Sequence, residues 1–290
     1  MIMNTLHHIA ELGCNHQGDL KKAFLMIELA ATAGADIVKF QKRDIASMTK
    51  DAYNSPHPDP SNAFGPTYGD HRKFLEFEID QHRQLLEACR ENGVQYMSSV
   101  WDCVSARQVA SLGMELIKIP SACNLNRELI KTVCQEHEGL ILVSLGMTTP
   151  EETDSIVNLF QQECRNRDLV LLVCTSRYPS ASKEAFLGDV AGLSEKYKGV
   201  IHSVGYSGHH LGTAIDCGAV ALGAQWIERH FTLDTSWKGT DQVFSLMPEE
   251  YSSLVKDCRA VYEALHSRPD GIPSFELPSW NKLKKEQIKW

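Results

Sequence analysis

Long apolar runs are missing from this sequence. No stretch approaches the ~18 residues that a membrane-spanning helix requires, and the opening MIMNTLHHIAELG has neither a cationic lead nor an apolar block. Neither a membrane partner nor an export leader is therefore expected. Paired cysteines are missing too. The nine cysteines are odd in number and include no C-x-x-C pair or Cys/His spacing of a zinc site, so reduced thiols and a cytoplasmic location are expected. An excess of positive charge is also absent: 29 Lys and Arg face 37 Asp and Glu, a net charge of -8. A phosphate backbone is held by surplus cations, so nucleic acid is not an expected partner. With 19 Gly and 11 Pro in 290 residues and no low-complexity tract, collagenous and disordered classes are excluded.

What is present is a regular alternation. Apolar runs read as strands at 8–13, 36–41, 95–100, 116–121, 140–146, 169–176, 202–207 and 226–232, and stretches of helical period lie between most of them. Asp19 is placed to cap a helix whose apolar face is Leu20, Ala23, Phe24, Ile27 and Ala31 and which stops at Gly34. Further helices are expected at 80–92, 104–112, 127–137, 150–165, 212–223 and 248–266. Eight strands, seven of them followed by a helical stretch, in a chain of this length predict an α/β fold of the (β/α)8 TIM barrel type. A doubly wound open sheet would have fewer strands and a G-x-G-x-x-G turn after the first, where this chain has Gly13-Cys14-Asn15-His16-Gln17-Gly18. Residues 1–268 are taken as the barrel domain and 269–290 as a C-terminal arm, Pro-interrupted and basic through Lys282, Lys284, Lys285 and Lys289. The Pro-rich segment 42–77 is too long for a simple turn and is expected over the barrel mouth, as a lid or an interface loop.

A barrel enzyme carries its chemistry at the C-terminal ends of the strands, and these strands end in polar residues where a buried parallel sheet should be apolar. Glu11 closes the first strand, Lys39 and Gln41 the second, Ser98 and Ser99 the third, Lys118 and Ser121 the fourth and Ser144 the fifth. Ser176 and Tyr178 close the sixth, Ser207 and His209 the seventh, Glu228 and His230 the eighth. Two lysines among hydroxyls suit an anionic ligand, although each could instead pair with an acid across the barrel. His209 and His230 lie on adjacent strands and suit a divalent cation completed by water or substrate.

These residues, in this order, resemble the sialic acid synthase family. The resemblance rests on AELGCNHQGDLKKA at 10–23, AGADIVKFQ at 33–41, KIPS at 118–121, SLGM at 144–147, CTSRYP at 174–179, GYSGHH at 205–210 and GAVALGAQWIERHF at 218–231, followed by KGTD at 238–241. It implies a phosphoenolpyruvate-dependent condensation with an aldose or 2-acetamido sugar, giving a 2-keto-3-deoxy sugar acid and phosphate. By the same resemblance Glu11 handles protons, Lys39 and Lys118 grip the donor with Ser99, Ser121, Ser144 and Ser207, and His209 and His230 hold the metal. That ion is manganese first, with magnesium, cobalt or zinc as alternatives. Gln41, Ser176, Tyr178 and Asp241 fall where the family meets the substrates or metal-bound water.

Three substitutions depart from the family pattern: Cys123 for a Glu near the sugar, Ser176 for an Asn, and Gly208 for an acid before the first metal His. The small antifreeze-like domain that the family carries after its barrel is not expected in residues 269–290. Homo-oligomer formation is therefore an open expectation. An octulosonate-type synthase and a non-catalytic binding or assembly barrel are the alternatives.

Overall fold

The computed structural model describes residues 6–284 and 287. Eight parallel strands close into one barrel in sequence order: β1 His7–Gly13, β2 Ile37–Lys42, β3 Gln95–Val100, β4 Leu116–Ile119, β5 Leu140–Ser144, β6 Leu169–Cys174, β7 Ser203–Gly208 and β8 Trp226–His230. All eight predicted strands exist, and several end earlier than expected. β4 stops at Ile119 because Pro120 has no N–H to extend the ladder, and Ser121 opens a short 3-10 turn, Ser121–Cys123.

The helices of the repeat are α1 Leu20–Thr32, α4 Ile79–Glu91, α5 Cys103–Ala110, α6 Arg127–Glu136, α7 Pro150–Gln162, α8 Gly188–Lys196, α9 Ala214–Ala221 and α10 Pro248–Ala264. Asp19 caps α1 by accepting from the backbone N–H of Lys21 and Lys22. No helix was expected after the sixth strand, yet α8 is there. Its sequence GDVAGLSEK has two glycines and buries only Val190, so it has no apolar stripe to read. Within segment 42–77 lie two more helices, α2 Lys50–Asn54 and α3 Tyr68–Leu75.

Side chains alternate across each strand, and this alternation builds two cores. Outward residues such as Val38, Ile117, Val143 and Leu171 meet the helices in the larger one. Inward residues Ile9, Ile37, Met97, Leu116, Leu142, Val170, Leu172 and Trp226 fill the N-terminal half of the barrel as a separate plug. Two residues further along, the same inward parity brings Glu11, Lys39, Ser99, Lys118, Ser144, Cys174 and Glu228 to the C-terminal half.

The described part of the tail forms short turns at Ser274–Glu276, Leu277–Ser279 and Trp280–Lys284. It is largely exposed, Phe275 and Leu283 included. Lys285 and Lys289 lie outside the described residues. No helix among the described residues is long and apolar enough to cross a membrane, and the nine cysteines are free.

Candidate active site

One cavity of about 460 Å³ opens at the C-terminal end of the barrel, and all of the expected site residues line it. Glu11, Lys39, Gln41, Ser99, Lys118, Ser144, Ser207, Glu228 and His230 come from the strands. Ser121, Ser176, Tyr178, His209 and Asp241 come from the loops just beyond them.

Strand register explains the contacts. Glu11 sits beside Lys39 on one side and His230 on the other, and Ser207 beside Glu228. On the cavity floor Lys39 Nζ lies 3.1 Å from Glu11 Oε2 and 2.8 Å from Glu228 Oε2, while Lys118 Nζ lies 2.5 Å from Glu228 Oε1. The lysines are therefore paired with acids across the barrel, as well as facing the cavity. The four charges alternate and cancel, which lets all four be buried. Ser207 donates to Glu228 at 2.9 Å and Gln41 Nε2 donates to Glu11 at 2.7 Å. Glu228 was noted at its strand end without a role. The period-two step back from His230 is the signal that places it inside.

Two glycines make room here. The β1 register slips between Glu11 and Gly13, and Gly13 has φ +42°; a Cβ there would come within 2.7 Å of Glu11 Oε1 and 3.1 Å of Gln41 Nε2. A side chain would displace the Glu11–Gln41 hydrogen bond. At Gly146 a Cβ would lie 2.7 Å from Ser121 Oγ and closer still to Ser176 Oγ. Gly146 N–H donates to Ser121 Oγ, whereas the buried hydroxyls of Ser144 and Ser176 have no hydrogen-bond partner. Partnerless buried hydroxyls beside an open cradle are suited to a ligand rich in acceptor oxygens.

Burial sets the electrostatics. It pushes the Glu11 carboxyl above its usual range against the pull of Lys39. Burial also brings Lys118 down to about 8, with Glu228 opposing and neighbouring Lys39 assisting. Glu228 itself is held low because the attraction of Lys118 and Lys39 exceeds its burial cost.

His209 and His230 have ring centroids 5.5 Å apart, and burial lowers both to about 3, so both imidazoles are neutral. His209 Nδ1 is 3.0 Å from the Thr175 carbonyl; donating there leaves Nε2 as a lone pair. His230 Nδ1 is buried without a hydrogen-bond partner, 3.9 Å from Asp241 Oδ2. Two neutral imidazoles with free nitrogens fit a divalent cation completed from outside the protein. Among the described residues no group of three or more His, Cys, Asp and Glu could hold one by itself.

Segment 42–77 lies over the opening as the sequence suggested, but the sequence singled out none of its side chains. His57, Pro58, Asp59, Tyr68, His71 and Arg72 of segment 42–77 line the mouth of the cavity, with Arg43 and Trp101. The segment thus walls the opening. Cys123 does not line the cavity; its thiol faces the Trp101 carbonyl at 3.5 Å.

The model of the NeuB family matches residues 26–269. The N-acetylneuraminate-9-phosphate synthase of Drosophila melanogaster is 38% identical over 254 residues, covering 87% of this chain and 67% of that protein. The N,N'-diacetyllegionaminic acid synthase of Campylobacter jejuni is 34% identical over 285 residues, covering 97% and 83%. Among solved structures, an N-acetylneuraminic acid synthetase from Leptospira borgpetersenii superposes with a TM-score of 0.82 at 26% identity, covering 98% of this chain and 93% of that one.

Proposed function

The chain belongs to the NeuB family, and from that premise we propose that it joins phosphoenolpyruvate to the aldehyde of an aldose or 2-acetamido sugar, releasing phosphate and a 2-keto-3-deoxy sugar acid. One observation carries the reading: a buried, electroneutral chain of Glu11, Lys39, Glu228 and Lys118 beside two neutral imidazoles and two partnerless hydroxyls, all on one cavity. A binding or assembly barrel has no use for so costly an arrangement. The relatives differ by name in whether their sugar acid carries a phosphate.

In this reaction C3 of the donor bonds to the aldehyde carbon, the aldehyde oxygen gains a proton, and water adds at C2 as phosphate leaves. Lys39 and Lys118 each keep N–H donors for the donor anion beyond those given to the carboxylates. Ser99, Ser121, Ser144, Ser176 and Ser207 supply directional hydrogen bonds to its oxygens. Holding both substrates in one cavity turns an encounter into a positioned complex. Glu11 is the proton carrier: burial raises its carboxyl against the pull of Lys39, so the carboxylate is a stronger base for the water that adds at C2 and can pass that proton to the developing alkoxide.

His209 and His230 would hold a divalent ion, manganese, magnesium, cobalt or zinc, with Asp241 orienting its water. Such an ion, when bound, polarises an aldehyde oxygen and stabilises developing negative charge. Gln41 and Tyr178 complete the acceptor wall. Free thiols and the absence of a spanning helix among the described residues are consistent with a cytoplasmic site of action.

The test mixes the protein, phosphoenolpyruvate and each divalent ion with a panel of aldoses and 2-acetamido sugars. Phosphate release matched by 2-keto acid is expected with at least one sugar. Release with none of them would overturn the reading.

A further inference from the structure

His209 and His230 each have a chain neighbour that faces the other way. Alternation along β7 and β8 turns the two histidines into the cavity and sends His210 and Arg229 out of it, behind the barrel wall. There Arg229 is fully buried, next to His210 and to Asp216 in the first turn of α9. Arg229 Nη2 donates to the His210 carbonyl at 2.6 Å. Its Nη1 donates to the Gly212 carbonyl at 2.8 Å and to Asp216 Oδ2 at 2.6 Å. The His210 ring completes the cluster, with Nε2 3.0 Å from Arg229 Nη1 and 3.1 Å from Asp216 Oδ2. Arg229, His210 and Asp216 do not line the cavity.

Other outward positions hold apolar residues such as Val38, Ile117, Val143 and Leu171, which stabilise a wall at least as well as a buried ion pair does. Here Arg229 Nε and Asp216 Oδ1 are left without hydrogen-bond partners, so stability alone does not account for the pair. What the guanidinium adds is reach. The ladder between β7 and β8 ends at Gly208 and Arg229, one residue short of both histidines. The planar fork carries the connection past that point by holding two carbonyls of the loop after β7. From the other side the Ser180 N–H donates to the His209 carbonyl at 3.0 Å. Gly208 belongs to the same device: a Cβ there would lie 2.8 Å from His210 Cε1 and 2.9 Å from Tyr206 Cε1. The His210 ring can sit where it does because position 208 has no side chain.

We propose that Arg229, braced by Asp216 and His210, is a positioning residue that fixes the spacing of His209 and His230 and so preorganises them for a divalent ion. The clamp works from behind the barrel wall and touches neither substrate nor ion. It rests on the reading of the two histidines as metal ligands, and extends that reading to the frame that aims them. An ion with two protein ligands has little else to fix it, so an error in their spacing passes directly into affinity.

The experiment titrates the whole chain with Mn2+ alone and follows the free-ion paramagnetic resonance signal. Wild type should bind the ion, and His209→Ala should abolish that binding. Arg229→Lys keeps a charge opposite Asp216 and gives up the fork. It should fold and bind Mn2+ about 10–100-fold more weakly, with phosphoenolpyruvate binding, measured without metal, within about threefold of wild type. Leu142→Ala weakens the plug and leaves the clamp alone, so it should bind Mn2+ as wild type does. If Arg229→Lys does not fold, Gly208→Ala carries the test: its Cβ displaces the His210 ring without unpairing a charge, and Mn2+ affinity should fall about tenfold. Wild-type affinity in a folded clamp variant, or an equal loss in Leu142→Ala, would overturn the clamp while the metal pair stands. No Mn2+ binding by wild type, or binding untouched by His209→Ala, would sink the metal pair and the clamp together, and phosphate release in the sugar panel would then decide the condensation by itself.

Discussion

The two halves of the barrel interior are built by the same strands and differ by two residues of register. At the N-terminal half Ile9, Ile37, Leu116 and Trp226 point inward and make a dry plug. One inward step later the same four strands present Glu11, Lys39, Lys118 and Glu228. The plug is stabilised by area removed from water, which is insensitive to direction. The polar layer depends on pairing, because each of its charges would be costly alone. The contrast teaches that the plug supplies stability and the layer above it supplies a preorganised field, so changes in the two halves should have separable signatures.

The largest expected effect comes from removing the carboxylate that two lysines share. Glu228→Leu leaves Lys39 with only Glu11 and Lys118 with no acid, and the fold should lose about 3–5 kcal/mol in a urea melt while phosphate release disappears. A loss below about 1 kcal/mol would mean that the lysines are solvated in the free protein and that the layer is not held by pairing.

Glu11→Gln keeps the shape and removes the titratable proton. Turnover should fall by about 10²–10⁴-fold while phosphoenolpyruvate still binds, as read by calorimetry. Lost donor binding in this variant would move Glu11 from proton carrier to donor ligand. Turnover within threefold of wild type, again by direct assay, would remove it from the chemistry. In the plug, Leu142→Ala should show the converse: about 2–5 kcal/mol of stability lost to a cavity, with kcat/KM changed by less than about threefold at temperatures where the protein stays folded. A large loss of activity there would show that the two halves are coupled.

The sequence made the barrel readable because strands and helices have different hydrophobic periods, and it made the floor readable because a charge at the end of an apolar run has few structural reasons to exist. It could not reveal that Lys39 and Lys118 share Glu228, since that depends on register around a closed barrel between residues as far apart as Lys118 and Glu228. The mouth was legible only as a segment, for a different reason. Arg43 and Arg72 lie in a stretch of short helices and Pro-rich turns with no period to follow, so nothing local marked them as neighbours. Cys123 shows the opposite error: its position in a motif suggested proximity to the sugar, while the turn after Pro120 carries the thiol away from the cavity.

The smallest effect is graded by pH and separates the two lysines of the floor. Lys39 has carboxylates on both sides and is held above the usual lysine range by Glu11 and Glu228 against the cost of burial. Lys118 has one carboxylate and a lysine for a neighbour, and burial brings it down to about 8. Lys118 is therefore charged below pH 8 and loses its proton as the pH rises through that value, whereas Lys39 keeps its own. Since kcat/KM reports groups of the free enzyme, kcat/KM for phosphoenolpyruvate should be flat up to about pH 8 and then fall by about tenfold per unit, while the kcat profile breaks later because the bound anion favours the charged lysine. Lys118→Arg, which stays charged throughout, should abolish the break near pH 8 even where it lowers the overall rate. A break that persists in that variant would assign the titration to another group and would show that the single shared carboxylate holds Lys118 as firmly as two hold Lys39.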